Sequence, residues 1–123
     1  MATILIIDDE KGIRSLLREV LEKEGHQVVE ASNGRTGLEL FRRTPADLVI
    51  MDILMPVKDG MEATWQLTHE FPDVRIIAMT AGRGDTNFLD VAKLFGAHRV
   101  LEKPFKMEDM LEAVHAALRK KLG

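Results

Sequence analysis

The chain has no cysteine among its 123 residues, which excludes a disulfide framework. A long apolar run is also missing, because the apolar N-terminal segment reaches charge at Asp8, too early for a signal peptide or a membrane span. With 17 basic and 20 acidic residues, the net charge of −3 lacks the basic excess that nucleic-acid-binding domains usually show. These absences predict a cytoplasmic protein that binds neither membranes nor nucleic acids directly.

The spacing of apolar residues predicts the fold. A length of 123 residues fits one domain, residues 1–123, with a hydrophobic core that is stable without a covalent cross-link. Short strand-like runs alternate with longer helical stripes, which is typical of a parallel α/β sheet covered on both faces. Five such pairs of a strand-like run and a helical stripe can be counted. The predicted strands are Ile4–Ile7, Val28–Ala31, Leu48–Met51, Val74–Met79 and Val100–Leu101.

Five helices are predicted between and after these strands. The inner faces would consist of Ile13, Leu16, Leu17, Val20 and Leu21; Gly34, Gly37, Leu38 and Phe41; Met61, Thr64, Leu67 and Phe71; Phe88, Val91, Ala92 and Phe95; and Met107, Met110, Leu111, Val114 and Leu118. Right-handed crossovers with helices on both faces yield a doubly wound sheet, for which 2-1-3-4-5 is one common strand order.

Four of the strands lead into a chemically capable residue. These residues are Asp8 with Asp9, Asp52, Thr80 and Lys103. Because the carboxyl ends of parallel strands share one edge, we expect three carboxylates, a hydroxyl and an amine to converge there. In the order 2-1-3-4-5 the first and third strands are neighbours, so the three aspartates would flank the switch point where such folds bind ligands.

The expected carboxylate cluster needs a compensating cation. Two carboxylates at about 5 Å repel by roughly 3 kcal/mol at an effective dielectric near 20. Hard oxygen ligands favour Mg²⁺ over zinc or copper. An aspartate beside a cation and Lys103 is a poor general base but a competent nucleophile toward a phosphoryl group, to which Thr80 could donate a hydrogen bond. The set therefore predicts phosphoryl transfer.

Five short motifs carry a resemblance to a known family. They are Asp8-Asp9-Glu10, Asp52-Ile53-Leu54-Met55-Pro56, Asp59-Gly60, Thr80-Ala81 and Lys103-Pro104-Phe105. Together they closely resemble the receiver domain of two-component response regulators over essentially the whole chain. The resemblance implies a flavodoxin-like fold with the same strand order, so the predicted order rests partly on it.

The resemblance also implies a role for each matching residue. Asp52 would accept a phosphoryl group from a sensor histidine kinase, a phosphotransfer protein or a small acyl phosphate. The implied Mg²⁺ ligands are Asp9, Asp52, the backbone carbonyl of Leu54 and, through water, Asp8. The implied contacts to the phosphoryl oxygens are Thr80, Lys103 and the backbone N–H groups of Leu54 and Ala81. The Lys103-Pro104 bond is expected to be cis. The protein would be no enzyme beyond its own phosphorylation and dephosphorylation.

One position departs from the family pattern. Receivers usually carry Tyr or Phe three residues before the lysine, where this chain has Val100. Valine is short and stiff at χ1, so its rotation cannot produce a comparable change in volume. We hypothesise that readout relies instead on the Gly82-Arg83-Gly84 loop and the fourth predicted helix. The output partner cannot be read from the sequence.

Simpler interpretations and other functions stay open at this stage. Asp8 or Asp9 alone would more often be a helix N-cap than a metal ligand, and Lys103 alone a solvated surface residue. A haloacid-dehalogenase-type phosphatase would need an Asp-x-Asp motif and a cap, and an FMN binder would need a phosphate loop that the acidic cluster cannot supply. The main alternative is a receiver-like protein-binding module that works without phosphorylation.

Overall fold

The computed structural model of the protein describes residues 2–53, 59–80 and 96–119, without the side chains of residues 59 and 61. Five strands form one sheet: β1 (Thr3–Ile7), β2 (Gln27–Ala31), β3 (Leu48–Asp52), β4 (Ile76–Thr80) and β5 (Arg99–Glu102). All pairings are parallel and the order is β2-β1-β3-β4-β5, which confirms the predicted sheet. Strand β1 therefore lies between β2 and β3.

The described residues contain four helices: α1 (Lys11–Lys23), α2 (Gly34–Arg43), α3 (Asp59–Glu70) and α4 (Met107–Arg119). They correspond to the first, second, third and fifth predicted helices. The fourth predicted helix, Phe88 to Phe95, lies outside the described residues. Asn33 occupies the N-cap position of α2, where its side chain accepts a hydrogen bond from the N–H of Thr36 at 2.8 Å.

The predicted start of the fourth strand was wrong by two residues. The apolar run begins at Val74, but β4 begins at Ile76. The N–H of Val74 donates to the carbonyl of Phe71 at 2.9 Å and so closes a turn after α3. Val74 is buried although it is not in the strand. An apolar residue buried in a turn cannot be distinguished in the sequence from one buried in a strand.

Two hydrophobic clusters fill the two faces of the sheet. Along β1, Leu5 and Ile7 pack with α2 and α3, whereas Ile4 and Ile6 pack with α1 and α4. All four side chains are at most 2% exposed. Full burial of such a side chain contributes about 1.5–3 kcal/mol, so the central strand is held from both sides. This burial fixes the position at which β1 ends, and with it the position of Asp8.

Helix α2 approaches β1 closely at Gly37. A Cβ atom added at Gly37 would lie 2.3 Å from Cδ1 of Ile7 and 2.7 Å from its Cγ1. A larger residue at position 37 would force the Ile7 side chain to shift, which agrees with the mixture of small and large residues on the inner face of α2. None of the helices in the described ranges is long and apolar enough to cross a membrane.

Candidate functional site

The carboxyl ends of β1, β3, β4 and β5 meet at one edge of the sheet. Asp8 directly follows β1, Asp52 and Thr80 are the last residues of β3 and β4, and Lys103 directly follows β5. The strand register explains why Asp8 and Asp52 lie at the same height in the sheet. Ile7 pairs with Met51, so Asp8 and Asp52 each occupy the next position. Residues far apart in the sequence thus come together because their strands end at the same height.

Three carboxylates form a cluster at this edge. One oxygen each from Asp8, Asp9 and Asp52 lies within 4.8 Å of the others. Asp8 is fully buried, Asp52 is 4% exposed, and Asp9 is exposed. The cluster therefore has a buried floor and a rim that faces solvent, an arrangement that an ion or an anionic group can enter from outside.

The ammonium group of Lys103 lies between the two buried carboxylates. Its Nζ atom is 3.1 Å from Oδ2 of Asp8 and 3.4 Å from Oδ2 of Asp52. A third carboxylate, that of Glu10, lies 3.5 Å away on the exposed side. The backbone N–H of Lys103 donates to the carbonyl of Thr80 at 2.6 Å, which ties the lysine to the end of β4. The peptide bond between Lys103 and Pro104 is cis, as expected.

Burial and neighbouring charges change the proton affinity of two groups. Desolvation raises the pKa of Asp8 to about 6; the N–H of Glu10 and the charge of Lys103 counteract this rise, and the charge of Asp52 adds to it. Burial alone would lower the pKa of Lys103, but the charges of Asp52, Asp8 and Glu10 together raise it above its usual value. Lys103 therefore stays charged at neutral pH, while Asp8 is ionised at a substantial cost in free energy.

The donor set fits a hard divalent cation. All three clustered groups are carboxylates, and the charge of one lysine does not balance them at neutral pH. Both oxygens of Asp8 already accept a hydrogen bond, Oδ1 from the N–H of Glu10 at 2.8 Å and Oδ2 from Lys103. Oδ2 of Asp52 also accepts from Lys103, at the longer distance of 3.4 Å. The family resemblance implies that Asp9 and Asp52 bind the ion directly and that Asp8 reaches it through water.

The simpler interpretation of Asp8 and Asp9 as helix caps does not hold. Residue Glu10 occupies the N-cap position of α1, and its side chain makes no capping hydrogen bond. The carboxylate of Asp8 instead accepts from the backbone of Glu10 and from Lys103. The acidic pair therefore belongs to the edge of the sheet and not to the start of the helix.

Gly60 is a site residue whose importance sequence reasoning missed. In the sequence the Asp59-Gly60 pair is only one of the motifs that carry the family resemblance, with no role assigned to it, and α3 begins at Asp59. However, a Cβ atom at Gly60 would lie 2.2 Å from the carbonyl oxygen of Asp52 and 2.6 Å from Cα of Ile53. Such distances are far inside van der Waals contact, so the absence of a side chain lets the first turn of α3 pack directly against the backbone of Asp52.

Several predicted site residues lie outside the described residues. These are Leu54, Ala81 and the Gly82-Arg83-Gly84 loop, so the roles assigned to them stay predictions. Thr80 is described and fully buried at the end of β4, where it pairs with Glu102 of β5. Val100 lies within β5, opposite Ala78, and packs half-buried against the cluster under α2 and α3.

Comparisons with known proteins place the chain among phosphorelay components. The sequence model described as response regulator receiver domain matches residues 4–115. Sporulation initiation phosphotransferase F of Bacillus subtilis is 38% identical over 111 residues, covering 90% of this chain and 89% of that protein. A receiver domain protein from Clostridium thermocellum superposes with a TM-score of 0.90 at 35% identity, covering 99% of this chain and 98% of that one.

A further similar structure contains ligands. The response regulator TrrA from Thermotoga maritima, in complex with Mg²⁺ and BeF, is 35% identical and has a TM-score of 0.83, with 96% of this chain and 100% of that chain covered. The sequence match and both structural matches extend over nearly the whole of each partner.

Proposed function

This chain belongs to the family of response regulator receiver domains, and on that premise we propose that it accepts a phosphoryl group on Asp52. The observation that carries the proposal is the position of Lys103 Nζ, 3.4 Å from Asp52 and 3.1 Å from Asp8, at an edge where three carboxylates converge. A buried carboxylate beside a fixed ammonium and a cation-binding cluster is equipped for phosphoryl transfer, which depends mainly on positioning and charge neutralisation.

In the proposed reaction an oxygen of Asp52 attacks phosphorus in line with the leaving group. The new P–O bond to Asp52 forms as the P–N bond of a phosphohistidine breaks, and the released imidazole nitrogen takes up a proton. A small acyl phosphate would react in the same way with cleavage of its P–O bond. The histidine donor would belong to a sensor histidine kinase or a phosphotransfer protein.

Asp8, Asp9 and Asp52, with the backbone carbonyl of Leu54, would hold Mg²⁺ in this function. When bound, the ion supplies positive charge that offsets the negative charge of the carboxylates and of the phosphoryl oxygens. TrrA, which is similar in structure, was crystallised with Mg²⁺ and BeF, and this supports the choice of ion.

The remaining residues of the site would orient the phosphoryl group. The position of Lys103 next to Asp52 brings its ammonium within reach of a phosphoryl oxygen on that carboxylate. The buried Thr80 hydroxyl and the N–H of Ala81 would donate further hydrogen bonds. Movement of these groups on phosphorylation would change a partner-binding surface, and the chain would act as a signalling switch and not as an enzyme on other substrates.

The proposal is tested by incubating the protein with acetyl phosphate, and with a panel of phosphorylated sensor kinases, in Mg²⁺ and in EDTA. We expect the intact mass to increase by one phosphoryl group only when Mg²⁺ is present. Asp52→Asn should abolish the increase, whereas the exposed Asp73→Asn serves as a matched control that keeps it. No transfer from any donor would contradict the proposal and favour a binding module that works without phosphorylation.

A further inference from the structure

We infer that Arg14, anchored by Glu30, is a positioning residue that orients the Asp8–Asp9 carboxylate pair. The inference rests on the proposed function, because it concerns how two proposed metal-site carboxylates are aimed. Arg14 itself would touch neither the metal nor the phosphoryl group. It acts through the backbone of Asp8.

The guanidinium of Arg14 connects three elements. Its Nη1 donates to the carbonyl oxygen of Asp8 at 2.7 Å, and its Nε donates to Oε1 of Glu30 at 3.0 Å. Arg14 belongs to α1 and Glu30 to β2, while Asp8 follows β1. The side chains of Arg14 and Glu30 are 15% and 25% exposed, so both hydrogen bonds are partly shielded from competing water. A charged fork that is shielded in this way holds its acceptor more firmly than a surface ion pair does.

Asp8 needs such a partner because it lies beyond the last paired position of β1. Ile7 is paired with Ala31, the last residue of β2, and the N–H of Asp8 donates to the carbonyl of Ala31 at 3.1 Å. The carbonyl of Asp8 accepts a hydrogen bond from the Arg14 side chain. A peptide unit is planar, so fixing this carbonyl also fixes the N–H of Asp9 and the direction in which its Cα leaves. Arg14 thereby sets the relative orientation of the two carboxylates.

Arg18 offers a matched control. It lies one helical turn further along α1 and also pairs with Glu30, through its Nε at 2.5 Å. Its Nη1 pairs with Glu22 at 3.0 Å. With 39% of its side chain exposed, Arg18 shares the anchor of Arg14 but, among the hydrogen bonds of the described residues, makes none to Asp8. Substitution of each arginine by methionine removes a similar side chain and one Glu30 partner, and only one of the two substitutions releases the Asp8 carbonyl.

The experiment measures Mn²⁺ binding by electron paramagnetic resonance, with Mg²⁺ as competitor, in the unsubstituted protein and in the two variants. We expect Arg14→Met to weaken binding about tenfold or more, the size of effect typical when an outer partner of a metal ligand is lost. Arg18→Met should change it by less than about twofold, as for an exposed ion pair. In the metal-free protein, Arg14→Met alone should speed amide hydrogen exchange at Asp9 and Glu10.

Glu30→Gln provides a second route if Arg14→Met does not fold. It should weaken Mn²⁺ binding in the normal background and have little further effect once Arg14 is replaced, because the two residues act as one unit. Equal losses for Arg14→Met and Arg18→Met, or an unchanged affinity in Arg14→Met, would overturn the inference. If the unsubstituted protein binds no Mn²⁺ at all, the proposed function fails, and unchanged exchange at Asp9 and Glu10 would then overturn the positioning role as well.

Discussion

The Nζ atom of Lys103 lies 3.4 Å from Oδ2 of Asp52, although the two residues are 51 positions apart in the chain. This contact joins the end of β3 to the loop after β5 across the end of β4, because all three strands finish at the same edge. It places a permanent positive charge beside the proposed acceptor oxygen. The same ammonium contacts Asp8, so one lysine serves two buried carboxylates.

The position of Lys103 predicts opposite effects on metal binding and on phosphoryl acceptance. Lys103→Met should tighten Mg²⁺ binding, because a positive charge that competes for the same carboxylates is removed. It should slow phosphorylation of Asp52 by about 100-fold, a loss typical when one preorganised donor is removed from a reacting site. Calorimetric Mg²⁺ titration and acetyl phosphate kinetics measure the two effects. Lys106→Met, at an exposed position, is the control. Parallel losses in both measurements would contradict this interpretation.

The raised pKa of Asp8 predicts an unusual dependence of stability on pH in the metal-free protein. Burial moves this pKa from 3.8 to about 6, so between these values the folded protein binds a proton that the unfolded chain has released. The contribution of Asp8 to the free energy of unfolding therefore falls as the pH rises through this window. By pH 7 the loss is at most on the order of 3 kcal/mol.

Asp8→Asn tests this pH dependence. Without metal it should increase the free energy of unfolding at pH 7 relative to the unsubstituted protein, because the cost of burying a charge disappears. The gain should shrink toward zero near pH 4, where Asp8 is largely protonated in the folded state. Urea denaturation in EDTA at several pH values measures the difference, with the exposed Asp73→Asn as control. A destabilisation by Asp8→Asn that is equal at pH 4 and pH 7 would show that hydrogen bonding, and not the charge, dominates at this position.

The packing of α3 against Asp52 predicts a large difference between two glycine substitutions. Gly60→Ala should lower the free energy of unfolding by about 1–3 kcal/mol, because its Cβ would collide with backbone atoms that cannot move aside cheaply. It should also slow phosphorylation by displacing Asp52. Gly12→Ala in α1 meets no atom within 4 Å and should stabilise the protein by up to about 1 kcal/mol. Denaturation of both variants measures the change in the free energy of unfolding. Equal effects would contradict the close approach of α3 to the backbone of Asp52.

Val100 in β5 predicts which part of the chain responds when a phosphoryl analogue binds. Val100 is half-buried and packs against the cluster under α2 and α3, and its stiff side chain offers little rotation. Addition of beryllium fluoride with Mg²⁺ should therefore shift the amide resonances of residues 82–95 more than the methyl resonances of Val100. A rotamer change at Val100 with unmoved resonances in that segment would refute this route.

Hydrophobic spacing predicted the strands of the sheet, and a strand order that rests partly on the family resemblance then predicted the edge at which the polar residues meet. The runs Ile4–Ile7 and Leu48–Met51 are apolar on both faces, a pattern that is typical of a parallel strand covered on both sides. Because strand ends are set by these runs, the placement of Asp8 and Asp52 at neighbouring ends followed once the strand order was assumed.

The remaining features depend on distances that no sequence spacing encodes. The approach of Gly60 to Asp52 depends on how deeply α3 sits on the sheet, and the bond from Arg14 to the Asp8 carbonyl depends on the tilt of α1. Val74 was assigned to a strand because its burial in a turn looks the same in sequence as burial in a strand. Tertiary packing decided each of these three cases.

Borohydride reduction of the phosphorylated protein, followed by peptide mass spectrometry, tests the central claim most directly. Reduction converts an aspartyl phosphate into homoserine and leaves a free carboxylate unchanged, so it marks the acceptor within the chain. After treatment with a phosphoryl donor and Mg²⁺, we predict homoserine at position 52 and at no other aspartate. Homoserine at Asp8 or Asp9, or a phosphoryl group that persists in Asp52→Asn, would contradict the account.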